Sequence, residues 1–180
     1  MSNTLLVEQC KQQNRKAQMA LYRQYCDGMF VVAHRYMKDT AAAEDALQEA
    51  FIKAFRKIGQ FKGDVTFGAW LKRIVINTCL DALKAKKMEQ VEVDEETLSI
   101  VEEDTWEVPD EATVQEVVDA IEALEDPYGA VVKLFLLEGY DHREISKVMG
   151  ITESASRTYL HRGKNKIRKQ LKHLENGTGY

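Results

Sequence analysis

The chain has 180 residues, of which 44% are hydrophobic and 30% charged, and a net charge of −4. That balance suits one ordinary domain or two small ones and is too apolar for a chain disordered throughout. Cys10, Cys26 and Cys79 form no CxxC pair, and no apolar run nears the ~18 residues of a membrane span, so zinc modules, disulfide scaffolds and membrane anchors are set aside. The N-terminus lacks a basic segment followed by a long apolar run. The expectation is a cytoplasmic protein without membrane insertion of its own, holding no metal or cofactor. Only two prolines and ten glycines occur, which favours helices over sheets.

Charge is strongly segregated. Residues 1–87 carry fifteen basic and eight acidic residues (+7), Met88 to Val132 carry sixteen acidic and no Lys or Arg, and 133–180 carry ten basic and five acidic (+5). A polyanion responds to the local field over ~8 Å at physiological salt rather than to the net charge, so both ends suit nucleic acid. The acidic middle reads as a solvated linker, and it would also discourage non-specific DNA binding by the free protein.

In chain order, Asn14 is a candidate N-cap for a long helix with Met19, Tyr22, Met29, Val32 and Tyr36 at helical spacings and Gly28 as a candidate break. Residues 40–61 place Ala43, Leu47, Ala50, Phe51, Ala54 and Ile58 on one face of a helix ending near Gly59, with Asp45, Gln48, Glu49 and Lys53 off that face. The stretch FKGDVTFGAWLKR (61–73) forms a loop up to Thr66. Thr66 caps a further helix whose buried stripe is Leu71, Ile74, Val75, Thr78 and Ala82, with Phe67, Trp70 and Leu71 as core anchors.

Beyond the linker, TVQEVVDAIEAL is helical, and Asp126-Pro127 opens another helix with proline in its tolerated first turn. DHREISKVMG starts with a capping-box arrangement from Asp141 to Glu144 and ends at Gly150. A longer basic helix follows the cap Thr152, and together they spell a helix-turn-helix. At ~100° per residue, Ser156, Leu160, Gly163, Ile167, Leu171 and Leu174 face inward. Ser154, Thr158, His161, Arg162, Asn165 and Lys169 lie opposite, with Arg157 on the flank. Thr, His and Arg early in such a helix can reach base edges, and lysines further along suit phosphates.

Two blocks carry a family resemblance. EDALQEAFIKAFRKIGQFKGDVTFGAWLKRIVIN resembles region two, and LLEGYDHREISKVMGITESASRTYLHRGKNKIRK region four, of the bacterial extracytoplasmic-function (ECF) RNA polymerase sigma factors of the sigma-70 family. The resemblance implies an all-α fold of two small helical domains: region two over 1–87, an acidic linker over 88–111 and the region-four helix-turn-helix over 112–180. It assigns Asp45, Gln48, Glu49 and Phe51 to the clamp helices of the polymerase largest subunit, with a core position as the other reading of Phe51. Phe61, Lys62, Gly63 and Asp64, with Asn77 beneath them and Lys72 and Arg73 on phosphates, would capture a flipped base of the minus-ten element. Arg157, Thr158, His161 and Arg162 would read the minus-thirty-five element, with Lys164 and Lys166 beside them.

The partners so implied are core RNA polymerase, through its clamp helices and flap, promoter DNA and an anti-sigma factor. The acidic linker would run through the polymerase interior near the RNA exit path. Ser146 and Ser156 depart from the residues usual in such motifs. Each is expected to bond the backbone one turn back.

Two other classes are weighed against this. A conventional helix-turn-helix regulator, dimerising through its N-terminal helices, would have no use for the loop at 61–68. A nuclease or recombinase would need clustered metal ligands or a placed nucleophile, whereas the acids here gather in the linker.

Overall fold

The computed structural model describes residues 3–88 and 112–177, and every regular element among them is helical. The linker positions 89–111 and the side chain of Leu174 lie outside the described residues. The chain divides into two compact units, Met1–Val91 and Glu92–Tyr180.

In the first unit, α1 (Asn3–Lys11) is an element that the sequence reading did not anticipate. Its Leu6, Val7 and Cys10 are buried where it packs on α2 (Arg15–Met37). Asn14 caps α2, its side chain accepting from the backbone N–H groups of Lys16 and Ala17 at 3.0 and 3.2 Å. Gly28 does not interrupt the helix.

The buried face of α2 also departs from expectation. It consists of Ala17, Leu21, Met29, Ala33 and Tyr36, while Met19 is 51% exposed, Tyr22 borders solvent and Val32 is half-buried. Alanines let neighbouring helices approach closely, so the small residues mark the packed side and some large ones point outward.

Asp39 caps α3 (Thr40–Lys57) through the N–H of Ala42 at 2.8 Å. All six residues expected on its inner face are buried, and Ala46 joins them. A 3-10 turn, Ile58–Gln60, leads into the loop. Thr66 then caps α4 (Phe67–Met88), accepting from Ala69 N–H at 3.2 Å. Leu71, Val75 and Thr78 are buried as expected, with Ile76, Cys79 and Leu80 in addition, but Ile74 is only half-buried and Ala82 is exposed. Because α4 packs on both α2 and α3, its inner face is broader than a single stripe. The Thr78 hydroxyl donates to Ile74 O at 2.8 Å. Burial pushes the Cys79 thiol up to about 11, which makes it a small core residue rather than a nucleophile.

In the second unit, α5 (Val114–Glu122) opens with a capping box between Thr113 and Glu116. The next helix, α6 (Tyr128–Val132), runs on through a π-helical turn, Lys133–Leu137. Pro127 immediately precedes α6, and Asp126 Oδ1 accepts from Ala130 N–H at 3.1 Å. Lys133, whose side chain is 3% exposed, reaches Glu122 Oε2 at 3.3 Å and ties the turn to α5. Two helices complete the unit, α7 (His142–Met149) and α8 (Glu153–Gly177). Ile121, Val131, Val132, Leu134, Ile145 and Ile167 form the centre of the core. Gly163 is where α8 crosses α6: a Cβ there would collide with Val132 Cγ2.

Candidate nucleic-acid interface

The loop at 61–66 leaves the 3-10 turn with Phe61 N–H donating to Ile58 O at 3.1 Å. Gly63 adopts φ +85°, a conformation costly for any side-chain-bearing residue. Lys62, Gly63, Asp64, Val65 and Thr66 are all exposed. Phe61 is half-buried, its ring 5.8 Å from Phe67 and 5.4 Å from Trp70 between centroids. Tyr25 of α2 meets Phe67 edge-on at 5.4 Å and lies against Gly68, where a Cβ would sit 3.0 Å from Tyr25 Cε1. Four aromatic rings from α2, the loop and α4 thus hold the loop's base.

Of the anchors expected here, Phe67 and Leu71 are buried, but Trp70 is only half-buried because it lies in this cluster near the surface. Along α4, Arg73 and Asn77 are exposed one turn apart and Lys72 is half-buried. The loop and this side of α4 therefore combine an accessible aromatic edge, amide and hydroxyl groups, and cations. Tyr25 was missed from sequence because only packing brings it to the loop.

On α3, Asp45, Gln48 and Glu49 are exposed in a row, with Glu49 paired to Lys53 at 3.6 Å. Phe51 is corrected: at 3% exposure, with its ring 4.8 Å from Tyr22, it belongs to the core and offers no surface to a partner. Ile52, 46% exposed, is the apolar residue next to that row, and it borders an open depression of about 500 Å³ shared with Gln13, Gln18, Phe55 and Arg56.

In the second unit the helix-turn-helix forms as spelled. Asp141 Oδ1 accepts from Glu144 N–H at 2.7 Å, and Glu144 Oε2 accepts from Asp141 N–H at 3.0 Å. Gly150 takes the left-handed conformation at φ +67°, and Thr152 caps α8 through Ala155 N–H at 3.0 Å. Ser146 bonds Arg143 O at 2.8 Å, close to expectation. Ser156 does not turn to its own backbone: its buried hydroxyl lies 2.9 Å from His142 Nδ1 and links α8 to the start of α7. The His142 ring in turn stacks on Phe135, 4.9 Å between centroids.

The expected inner face of α8 is buried from Ser156 to Leu171. The outer face needs one correction. Thr158 is 1% exposed, so its side chain is not presented to a ligand. A helical wheel assumes one packed side, but α8 is flanked by α5, α6 and α7 and its buried arc is wider. Ser154, Arg157 and Lys169 are exposed, and His161, Arg162 and Asn165 are half-buried.

Lys164 and Lys166 do not stand with the outer row. The Lys166 ammonium lies 4.2 Å from the centre of the Tyr128 ring and that of Lys164 6.0 Å from Phe135. These contacts of α6 and the π-helical turn with α8 leave no trace in local spacing. Among the described residues no group of histidine, cysteine and acidic side chains has metal-site geometry, and no helix is long and apolar enough to cross a membrane.

Comparison with known proteins places both units. The model of Sigma-70 region 2 matches residues 21–88, and that of Sigma-70, region 4, matches 114–167. RNA polymerase sigma-H factor of Pseudomonas aeruginosa is 30% identical over 180 residues, covering 94% of this chain and 93% of its own. The ECF RNA polymerase sigma factor SigW of Bacillus subtilis is 28% identical over 179 residues, covering 93% and 96%. Among solved structures, the sigma factor RpoE of Bartonella quintana, determined in complex with the anti-sigma factor NepR, superimposes with a TM-score of 0.51 at 18% identity, covering 86% of this chain and 96% of that one.

Proposed function

The chain belongs to the sigma-70 family, as an RNA polymerase sigma factor of the ECF type, and from that membership we propose how its two units divide the work of promoter selection. As a sigma factor it directs promoter-specific initiation of transcription by RNA polymerase. Residues 1–87, within the first unit, dock on the core enzyme through Asp45, Gln48 and Glu49 and open the minus-ten element. Residues 112–180, within the second unit, read the minus-thirty-five element in duplex form. The acidic residues 88–111 join them.

The loop carries this reading. An exposed turn at 62–66, braced by aromatic rings and carrying Lys62 beside Lys72, Arg73 and Asn77 of α4, suits the capture of a base that leaves the stack. Unstacking costs a few kcal/mol, and a pocket offering a ring face and polar groups to the base offsets it. Upstream, Arg157, His161 and Arg162 approach base edges, while Lys164 and Lys166, held over Phe135 and Tyr128 respectively, lend their charge to neighbouring phosphates. The protein works as a regulator of polymerase in the cytoplasm and carries out no reaction of its own. An anti-sigma factor is its inhibitory partner; the Bartonella neighbour is bound to one.

The test is run-off transcription with purified core RNA polymerase and a promoter library. The expected result is core binding and initiation from a defined subset of promoters. Absence of both overturns the reading. Arg157→Ala is expected to weaken upstream recognition by about 1–3 kcal/mol and relax specificity at one base pair. Equal loss on every sequence would reduce Arg157 to a phosphate contact.

A further inference from the structure

His161, Asn165 and Arg168 form a side-chain ladder along α8. Asn165 Nδ2 lies 2.8 Å from His161 Nε2, and Arg168 Nη1 donates to Asn165 Oδ1 at 3.2 Å. Only one arrangement of protons satisfies both contacts. A guanidinium has donors and no acceptor, so it takes the amide oxygen and leaves the amide NH₂ facing the imidazole. That NH₂ can only donate, so His161 Nε2 is the unprotonated acceptor and the proton of the neutral ring sits on Nδ1. A ring protonated on Nε2 would set one N–H against another.

Asparagine is a poor choice for a helix interior, where its side chain tends to compete for backbone groups. Here its amide nitrogen and its oxygen each meet a side chain one turn before or after it. We propose that Asn165, itself oriented by Arg168, is a positioning residue that fixes His161 as the Nδ1–H tautomer and so leaves the ring one donor with which to select a base-pair edge. The inference rests on the reading that α8 enters the major groove. There guanine offers N7 and O6, adenine N7 and thymine O4 as acceptors, whereas the cytosine edge offers the N4 amino donor. His161 thereby selects acceptor-bearing edges and rejects cytosine at the base it faces.

Two measurements on the full-length chain test this. In ¹⁵N-histidine-labelled protein, long-range ¹H–¹⁵N spectra identify the protonated ring nitrogen. Nδ1–H is expected for His161 in the wild type, and Asn165→Asp, whose carboxylate only accepts, should place a proton on Nε2. Nε2–H in the wild type overturns the proposal. In the second measurement, core RNA polymerase reconstituted with each variant is offered promoters randomised across the upstream element. Asn165→Ala should flatten the preference at one base pair roughly three- to tenfold, as expected for one hydrogen bond, and His161→Ala should flatten the same position. A structural role alone would lower the melting temperature and leave base preference unchanged, and that outcome also overturns the proposal. If no variant, Arg157→Ala included, alters the upstream preference, the groove reading of α8 falls and this inference with it.

Discussion

Phe61 illustrates how one residue can serve a unit without stabilising it much. Its ring rests on Phe67 and Trp70 yet keeps an open edge, so Phe61→Ala should leave the first unit folded while reducing promoter opening, by about 1–3 kcal/mol if it stacks on a base. Permanganate footprinting of the melted region, alongside thermal denaturation, checks this; melting unchanged with opening intact would remove the role. Phe51 and Gln48 make the converse pair on α3. Phe51→Ala empties a core site and should cost about 3–5 kcal/mol of stability. Gln48→Ala, on the exposed row, should leave stability within about 0.5 kcal/mol and weaken binding to core polymerase in a pull-down or titration. The apolar spacing of α3 pointed to burial for Phe51, and packing removes it from the docking face. At Thr158 the angular reading failed because burial depends on how many neighbours surround a helix.

At the scale of elements, the second unit depends on the close crossing of α6 and α8. Gly163→Ala would drive a methyl group into Val132, and overpacking of this kind costs about 1–3 kcal/mol. Urea denaturation of the variant measures it, and Val132→Ala in the same chain should recover part of the loss by making room. The start of α5 adds a small pH dependence. The backbone N–H of Thr113, and then its hydroxyl, hold the Glu116 carboxyl below the ordinary glutamate value. A carboxylate whose value is lowered on folding stabilises at pH above its unfolded value and loses that contribution as pH falls through the lowered one. Glu116→Gln keeps a hydrogen-bonding side chain but not the charge. The variant should lose this part of the acid dependence when stability is followed from neutral pH downward.

For the whole molecule, charge matters more than shape. Residues 1–87 carry +7 and residues 133–180 carry +5 while the total is −4, so promoter binding should weaken steeply as salt rises. Replacing the exposed Arg73 by Ala should reduce the slope of log K against log salt by about 1 if it meets a phosphate. Filter binding of the reconstituted polymerase at several salt concentrations gives that slope, and an unchanged slope would place Arg73 away from the backbone.

Much of this protein was determined by local pattern alone: the helices after Asn14, Asp39, Thr66, Thr113, Asp141 and Thr152, the glycine turn at Gly150, the inner face of α3 and of α8, and the division into basic ends around an acidic stretch. Caps, turns and periodicity act over a few residues, so their signals lie within a few residues of the effects they cause. Only the tertiary structure decided which large residues of α2 point outward, that Tyr25 braces the loop, that Thr158 is enclosed, and that Lys164 and Lys166 lie over Phe135 and Tyr128. These outcomes depend on contacts between residues far apart in the chain. Helical spacing tells which residues share a face, and only the neighbouring helices decide how much of that face water still reaches.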